Sequence, residues 1–316
     1  MDTVDLQKLA TRTRYMRETS VALLVSVGLL VVFLFIPLKT QNVSSEPTVI
    51  VATSTIPNAF AQIPLEAKAA IVYDLAFGTT LYEKNADAQL PLASLTKLLT
   101  VYAALTELAP HTPITISTEA THLDGPHAFT KGQTFTLSDL ARLTLVASLN
   151  DGAAAIALET AARKNVSPQQ ALAGTAAALS LSQTYAVNGN GLDVNPAISG
   201  GYGSAHDLAR LAGALLKKAP DIASATTQDF AQAASLAGTI FKVKNTDPIV
   251  GTIPRLLLSK TGFTDLAGGN LVLVFDAGIQ HPIAVVVLGS SMKARFTDGS
   301  ALVAATIAHF AGVQSL

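Results

Sequence analysis

The chain reads as an α+β protein: one antiparallel sheet flanked by helices and assembled from both ends of a globular domain, with an all-helical lobe inserted between the strand groups. Three observations predict this. A pair of apolar runs around Gly78-Thr79 opens the domain, three strand-like runs close it, and the stretch between them follows helical periodicity. One long uncharged segment precedes the domain and stands apart from it.

That segment, Thr19 to Leu38, reads "TSVALLVSVGLLVVFLFIPL", 20 residues without a charge. At about 1.5 Å per residue such a helix spans roughly 30 Å, the thickness of a bilayer core. Lys8, Arg12, Arg14 and Arg17 precede it, more positive charge than the stretch from Lys39 to Glu66 carries. Residues 1–18 are therefore expected in the cytoplasm, residues 19–38 in the membrane, and the rest outside the cell membrane. A cleaved secretory signal is the alternative. "NAFAQ" (58–62) offers a small-residue cleavage site, but it lies far past the apolar run. Both readings export the globular part. Residues 39–64, rich in Ser, Thr, Pro and Asn, read as a linker, within which "TVIVAT" (48–53) resembles a short strand.

The domain is expected over 65–316. "AKAAIVYDLAFGTTLYEKNAD" predicts a hairpin, and helical patterns follow at 94–108, 137–147, 151–164 and 168–180. A further helix over 203–219 has Ser204 as its N-cap and Asp207 three residues on, close to a capping box. His206, on the same helix, reads as structural. Strands are predicted at 254–262, 270–278 and 281–289, and a last helix at 297–311.

Composition narrows the function. Hydrophobic residues make up 49% of the chain and charged ones 14%, which implies a sizeable core. A net charge of -1 without a long basic run argues against a nucleic-acid partner. The absence of cysteine excludes thiol catalysis, disulfides and thiolate metal sites. The six histidines show no metal-ligand spacing, so neither a metal nor another cofactor is expected.

Chemistry is carried by three short motifs. Ser94 and Lys97, in "PLASLTKLLT", fall in the predicted first turn of a helix, where residues i and i+3 share a face. Free N–H groups and the positive end of the helix dipole lie beside the serine. Serine needs a neighbouring base, and lysine serves as one only if burial or another cation lowers its pKa. An S-x-x-K pair is weak alone, arising about once by chance in a chain this size. A second copy, Ser290 to Lys293, sits in a turn after a strand and reads as a decoy. Ser148 and Asn150 place a hydroxyl and an amide two residues apart between Ala-rich helices. Lys260-Thr261-Gly262 ends an apolar strand. There the lysine can help keep Lys97 neutral, the threonine can bind a carboxylate, and the glycine permits close approach to the backbone. Taken singly, Ser94 is better explained as a helix cap, Ser148 and Asn150 as turn residues, and Gly262 as a turn glycine.

The ordered set S-x-x-K, S-x-N, K-T-G resembles that of class A β-lactamases and penicillin-binding proteins. The chain looks most like the low-molecular-mass penicillin-binding proteins of the D-alanyl-D-alanine carboxypeptidase family, over roughly Ala67 to Phe310. "SLNDGAAAIAL", "NGNGLD", "SAHDLARLA", "KTGFTDLAGGNLV" and "IAVVVLGSSMKARFTD" extend the likeness in order. The resemblance implies a β-lactamase/DD-peptidase-like fold. It implies Ser94 as the acylated nucleophile of an acyl-enzyme, Lys97 as its base, and Ser148 and Asn150 as proton network and substrate-amide holder. Lys260 and Thr261 would bind the region of the substrate's terminal carboxylate, and Arg295 falls where the family has a substrate-binding arginine. The N–H groups of Ser94 and Phe263 would form the oxyanion hole. Substrates would be peptidoglycan stem peptides, and β-lactam antibiotics would acylate the same serine.

The sequence departs from the family pattern at Leu149, where a smaller residue is usual and a narrowed or tilted cleft is expected. It departs again at Ser259, ahead of the lysine. The family's C-terminal β-rich domain and amphipathic anchor have no counterpart before Leu316, so the N-terminal span is expected to tether the domain. A D,D-endopeptidase would use the same residues. A β-lactamase of class A would need a glutamate after S-x-N, and none follows Glu159. A silent binding scaffold is disfavoured by the intact motifs.

Overall fold

The computed structural model describes residues 3–34 and 58–312, in two compact units divided between Thr55 and Ile56. The first unit is a single helix, α1 (Thr3–Leu34). Its apolar side chains from Val21 to Leu29, including Leu23, Leu24 and Val27, are exposed. Among the described residues no helix is long and apolar enough to cross a membrane. Residues 35–38 of the expected span, and the strand-like run 48–53, lie outside the described residues.

In the second unit the opening hairpin forms as predicted, β1 (Ala69–Asp74) and β2 (Thr79–Lys84), turning at Gly78 with φ +70°. The closing strands are β10 (Leu256–Thr264), β11 (Gly268–Asp276) and β12 (Pro282–Ser290), each within two residues of its predicted start. They build one antiparallel sheet in the order β10-β11-β12-β1-β2, with β1 paired to β12 along its whole length. Alternation along these strands feeds two cores. Ile71, Leu258, Val272, Val274, Val286 and Leu288 face the helical lobe. Val72, Leu271, Leu273, Phe275, Val285 and Val287 pack with Leu302 and Val303 of α9 (Ala294–Ala311) on the other face. Phe60 joins this second core, stacked on Tyr82, although it falls in the stretch read as linker.

Between the strand groups, β3 (Leu90–Pro91) and a 3₁₀ turn, Ala93–Leu95, lead into α2 (Thr96–Glu107). The lobe follows with β4 (Pro113–Thr115), α3 (Thr118–Thr121), β5 (Thr134–Thr136), α4 (Leu137–Ala147), α5 (Asn150–Lys164) and α6 (Pro168–Ala178). Then come β6 (Tyr185–Ala186), β7 (Gly201–Gly203), α7 (Ala205–Lys218), α8 (Pro220–Ala225) and a second hairpin, β8 (Phe230–Ala234) with β9 (Ile240–Lys244). The sequence reading missed that hairpin because Ala-rich β8 has weak strand propensity. Ser204 caps α7 by accepting from Asp207 N at 3.1 Å. The predicted reciprocal half of a capping box is replaced, since Asp207 accepts from Gln183 N and Thr184 Oγ1 instead. His206 is a surface residue, paired with Asp87 and tilted against Tyr73.

Asp298 of α9 joins the two ends of the domain. It is buried and accepts from Ala67 N at 2.9 Å and from Ser290 Oγ at 2.8 Å, which also shows why the second S-x-x-K pair is a decoy. Asp298→Ala leaves a buried N–H without a partner, and a loss of about 2–3 kcal/mol is expected. A thermal melt should fall by roughly 5–10 °C for a domain of this size; an unchanged Tm would show that this tie contributes nothing.

Candidate active site

Ser94 lies on the 3₁₀ turn rather than in the predicted α-helical turn. The preceding Ala93 is fully buried at φ +49°, a left-handed conformation that costs energy for a residue with a Cβ. The turn is over-determined: Thr96 Oγ1 donates to Ala93 O at 2.8 Å, and Leu95 N donates to Leu92 O. The loop 188–193 presses on it from one side. A Cβ on Gly191, whose φ is +80°, would stand 1.9 Å from Ala93 O. The strand β10 presses from the other, where a Cβ on Gly262 would meet Leu92 O at 2.9 Å and Ser94 N at 3.3 Å. The glycine of K-T-G is thus required by the chain's own turn as much as by any substrate, and it brings the edge strand beside the Ser94 backbone.

Lys97 is fully buried one turn along. Its Nζ lies 2.8 Å from Ser94 Oγ, 2.8 Å from Asn150 Oδ1 and 2.6 Å from the carbonyl oxygen of Asn190. A neutral amine has two N–H bonds and one lone pair. Two of the three neighbours, Asn150 Oδ1 and Asn190 O, can only accept, so they hold both N–H bonds and leave the lone pair for the serine hydroxyl. Burial, and next the Lys260 charge, push the Lys97 pKa well below its ordinary value, while Asp151 opposes them. The direction of the shift favours the neutral amine, the form that general-base chemistry requires.

Ser148 and Asn150 flank the junction of α4 and α5. Ser148 occupies the left-handed region, φ +59°, closing α4, and the chain restarts as α5 at Asn150. That reversal brings both polar side chains to the helix junction, while Leu149 between them is buried in the main core. The expected narrowing of the cleft by Leu149 is therefore not seen. Asn150 Nδ2 donates to Asp124 O at 2.6 Å, so the amide is engaged by the protein on both sides. Asp151, fully buried, accepts from Ala128 N, Phe129 N and Gly152 N, each at 2.8 Å, and ties the 124–129 segment to the start of α5.

Lys260 meets Ser148 across the site, Nζ to Oγ at 2.9 Å, and also donates to Thr261 O. Burial and then Arg295 push its pKa down to about 7, against the pull of Asp247. Ser259, the second departure from the family pattern, donates to the buried Asp247 at 2.5 Å and anchors the strand beside Lys260. Thr261 Oγ1 stands 2.6 Å from Thr246 Oγ1. Arg295 falls in the first turn of α9, which begins three residues ahead of its predicted start, and donates to Gly262 O at 2.6 Å. Phe263 is partly exposed at the end of the strand.

Three distant segments thus converge in two hydrogen-bonded sets, Ser94–Lys97–Asn150 and Ser148–Lys260–Thr261, with Gly262 packed against the Ser94 backbone and Arg295 behind Gly262. Asn190, Gly191, Asp151, Thr246 and Asp247 complete the site and were not singled out from sequence. The adjacent glycines of "NGNGLD" and the carboxylate directly after S-x-N were the available signals. Among the described residues no cluster of ligands suits a metal.

Lys260→Met removes a charge that keeps Lys97 deprotonated, so the Lys97 pKa should rise. Acylation by fluorescent penicillin should slow more at pH 6 than at pH 9, moving the acid limb of the rate profile upward by about one pH unit; an unmoved limb would separate the two lysines electrostatically. Gly191→Ala, which displaces the Ala93 turn, should slow acylation by about tenfold or more while secondary structure, followed by circular dichroism, persists.

Comparison with known proteins agrees with this geometry. Residues 56–292 match the family model for D-alanyl-D-alanine carboxypeptidase, Peptidase S11. A D-alanyl-D-alanine endopeptidase of Pseudomonas aeruginosa is 30% identical over 81% of this chain and 83% of its own. D-alanyl-D-alanine carboxypeptidase DacF of Bacillus subtilis is 28% identical over 73% of this chain, which spans 59% of that longer protein. Penicillin-binding protein D2 of Listeria monocytogenes, solved with ampicillin bound, superposes with a TM-score of 0.65 at 28% identity, covering 77% of this chain and 98% of that one. The chain belongs to the S11 family of D-alanyl-D-alanine carboxypeptidases.

Proposed function

We propose that this protein is a serine D,D-carboxypeptidase that removes the terminal D-alanine of peptidoglycan stem peptides, with Ser94 as the acylated residue and Lys97 as its base. The observation that carries the assignment of roles is the Lys97 environment: a buried amine with two acceptor-only neighbours and the Ser94 hydroxyl 2.8 Å away. Lys97 takes the Ser94 proton as Oγ attacks the penultimate D-alanyl carbonyl. The N–H groups of Ser94 and Phe263 receive the oxyanion, and the facing of Gly262 and the Ser94 turn supports that pairing. The C–N bond breaks, the departing D-alanine amine takes the proton by way of Lys97 and Ser148, and water then hydrolyses the ester. Thr261, next to Lys260, binds the terminal carboxylate, and Arg295 stiffens the strand through Gly262. β-Lactams enter the same path and remain as the ester.

The helix α1 is the membrane anchor in this reading, with the active site on the extracytoplasmic side of the cytoplasmic membrane. Its uncharged, exposed apolar side chains from Val21 to Leu29 support this, as does the basic segment before it. The endopeptidase name of the Pseudomonas relative favours a second reading of the same acyl-enzyme, cleavage of cross-links.

Ser94→Ala should lose both penicillin labelling and D-alanine release from a pentapeptide ending in D-Ala-D-Ala. Lys97→Met should reduce acylation by about a thousandfold or more, in line with loss of a positioned base. Labelling that persists in Ser94→Ala would remove Ser94 from its role.

A further inference from the structure

One end of the central sheet carries the most exposed large apolar side chains among the domain's described residues. Ile279, in the β11–β12 turn, is 98% exposed, and Phe77, in the β1–β2 turn, is 74% exposed. Register puts both turns at the same end, because Asp74 faces Ile283 and Asp276 faces Pro282. The last turns of α9 join them. His281 meets Phe77 edge-on with 5.4 Å between ring centres and Phe310 with 4.8 Å. Its Nε2 lies 2.6 Å from Asp74 Oδ2, which fixes this row of rings to the sheet. Ile307 and Phe310 add exposed apolar surface from α9.

Single exposed apolar side chains are ordinary, but a contiguous uncharged patch marks an interaction surface. Segments 75–80, 277–282 and 304–312 contain no Asp, Glu, Lys or Arg. The nearest carboxylates are engaged by the backbone: Asp74 accepts from Ala76 N and Phe77 N, and Asp276 from Gly278 N and His281 N. Positive charge stands beside the patch. A cavity of about 530 Å³ is lined by Leu75, Gly78 and Pro282 on the patch side and by Arg210 and Lys217 of α7, and no carboxylate lines it. Arg210 is held there by donating to the carbonyls of Leu179 and Ser180, and Lys217 is exposed. Apolar tips flanked by cations match a surface that presents anionic headgroups over hydrocarbon. The entry of the chain into the domain agrees. Phe60, near the start of the described domain, stacks on Tyr82 and tilts against His309, the neighbour of Phe310.

We infer that this end of the sheet is a docking surface for an anionic phospholipid bilayer. Phe77 and Ile279 enter the interface, and Arg210 and Lys217 face the headgroup phosphates. The inference rests on the membrane anchoring proposed above and adds an orientation that a tether alone does not give. Asn270, the strand partner of Gly262, lies six residues along β11 from Asp276, about 20 Å at the ordinary strand rise. The docked domain carries its cleft at that remove from the lipid, where substrate outside the bilayer reaches it.

The chain contains no tryptophan, so Phe77→Trp and Ile279→Trp each supply a single fluorescent reporter. Leu236→Trp, at the exposed tip of the β8–β9 hairpin, is the control. The full chain is reconstituted into phosphatidylglycerol or phosphatidylcholine vesicles, with and without bromine on the acyl chains. Flotation reports anchoring, and an unchanged thermal melt in detergent reports folding. On phosphatidylglycerol both tip reporters should shift to the blue and lose about half their emission to bromolipid, since docked side chains sit about 5–10 Å deep. Leu236→Trp should do neither. Adding Lys217→Glu should cut tip quenching about twofold on phosphatidylglycerol and leave it unchanged on phosphatidylcholine. A chain that floats with unshifted, unquenched tips would overturn the docking and leave the anchor standing. Equal quenching with and without Lys217→Glu would overturn the anionic surface. A blue shift without bromolipid quenching would place a second copy over the tips and overturn the lipid. Failure to float would overturn anchor and docking together.

Discussion

The structure turns on one amine kept out of water. Lys97 is fully buried, and its hydrogen-bond partners are two carbonyl oxygens and a hydroxyl. Taking an ammonium into such a place is costly unless it is paired with a carboxylate, and here burial lowers the amine's pKa well below its ordinary value. The surrounding architecture serves that outcome. The helix α2 carries Lys97 inward, the α4–α5 junction brings Asn150, and the loop 188–193 brings the Asn190 carbonyl. The edge strand β10 contributes a second buried lysine, whose charge pushes in the same direction. Under the role proposed for Ser94, stability is given up locally to activate a weak nucleophile, a common trade at catalytic sites.

Packing and chemistry are coupled through the backbone. The 3₁₀ turn at Ser94 is strained at Ala93 and clamped by two glycines that admit no Cβ. Neither glycine touches a reacting atom. Both set where Ser94 Oγ lies relative to Lys97 and the strand, and small displacements there carry large rate effects. Asp151 acts similarly at one remove, since it orders the 124–129 segment whose Asp124 carbonyl holds the Asn150 amide.

Much of this was legible in the sequence, for identifiable reasons. Helices 137–147 and 151–164 and the three closing strands have strong periodicity and appear at nearly their predicted bounds. The motif residues were found because their types are rare in that order. Four features escaped. The 3₁₀ turn reads as α-helix because its apolar spacing continues into α2. The Ala-rich β8 gives no strand signal. Asn190 contributes a carbonyl, which every residue has, so side-chain identity cannot flag it. The direction of Leu149 depends on Ser148 adopting a left-handed conformation, a backbone choice that the residue types leave open.

The order of the strands has a consequence for how the molecule comes into being. The middle strand of the sheet, β12, is the last in the chain, yet β1 at the start pairs with it across its full length. A nascent polypeptide lacking its final thirty residues has no central sheet, no closing helix and no tie at Asp298. Such topology delays assembly until synthesis is nearly finished and makes the search for it slow. Ser94 and Lys97, made early, meet Lys260 on β10 only once that strand has its place in the sheet.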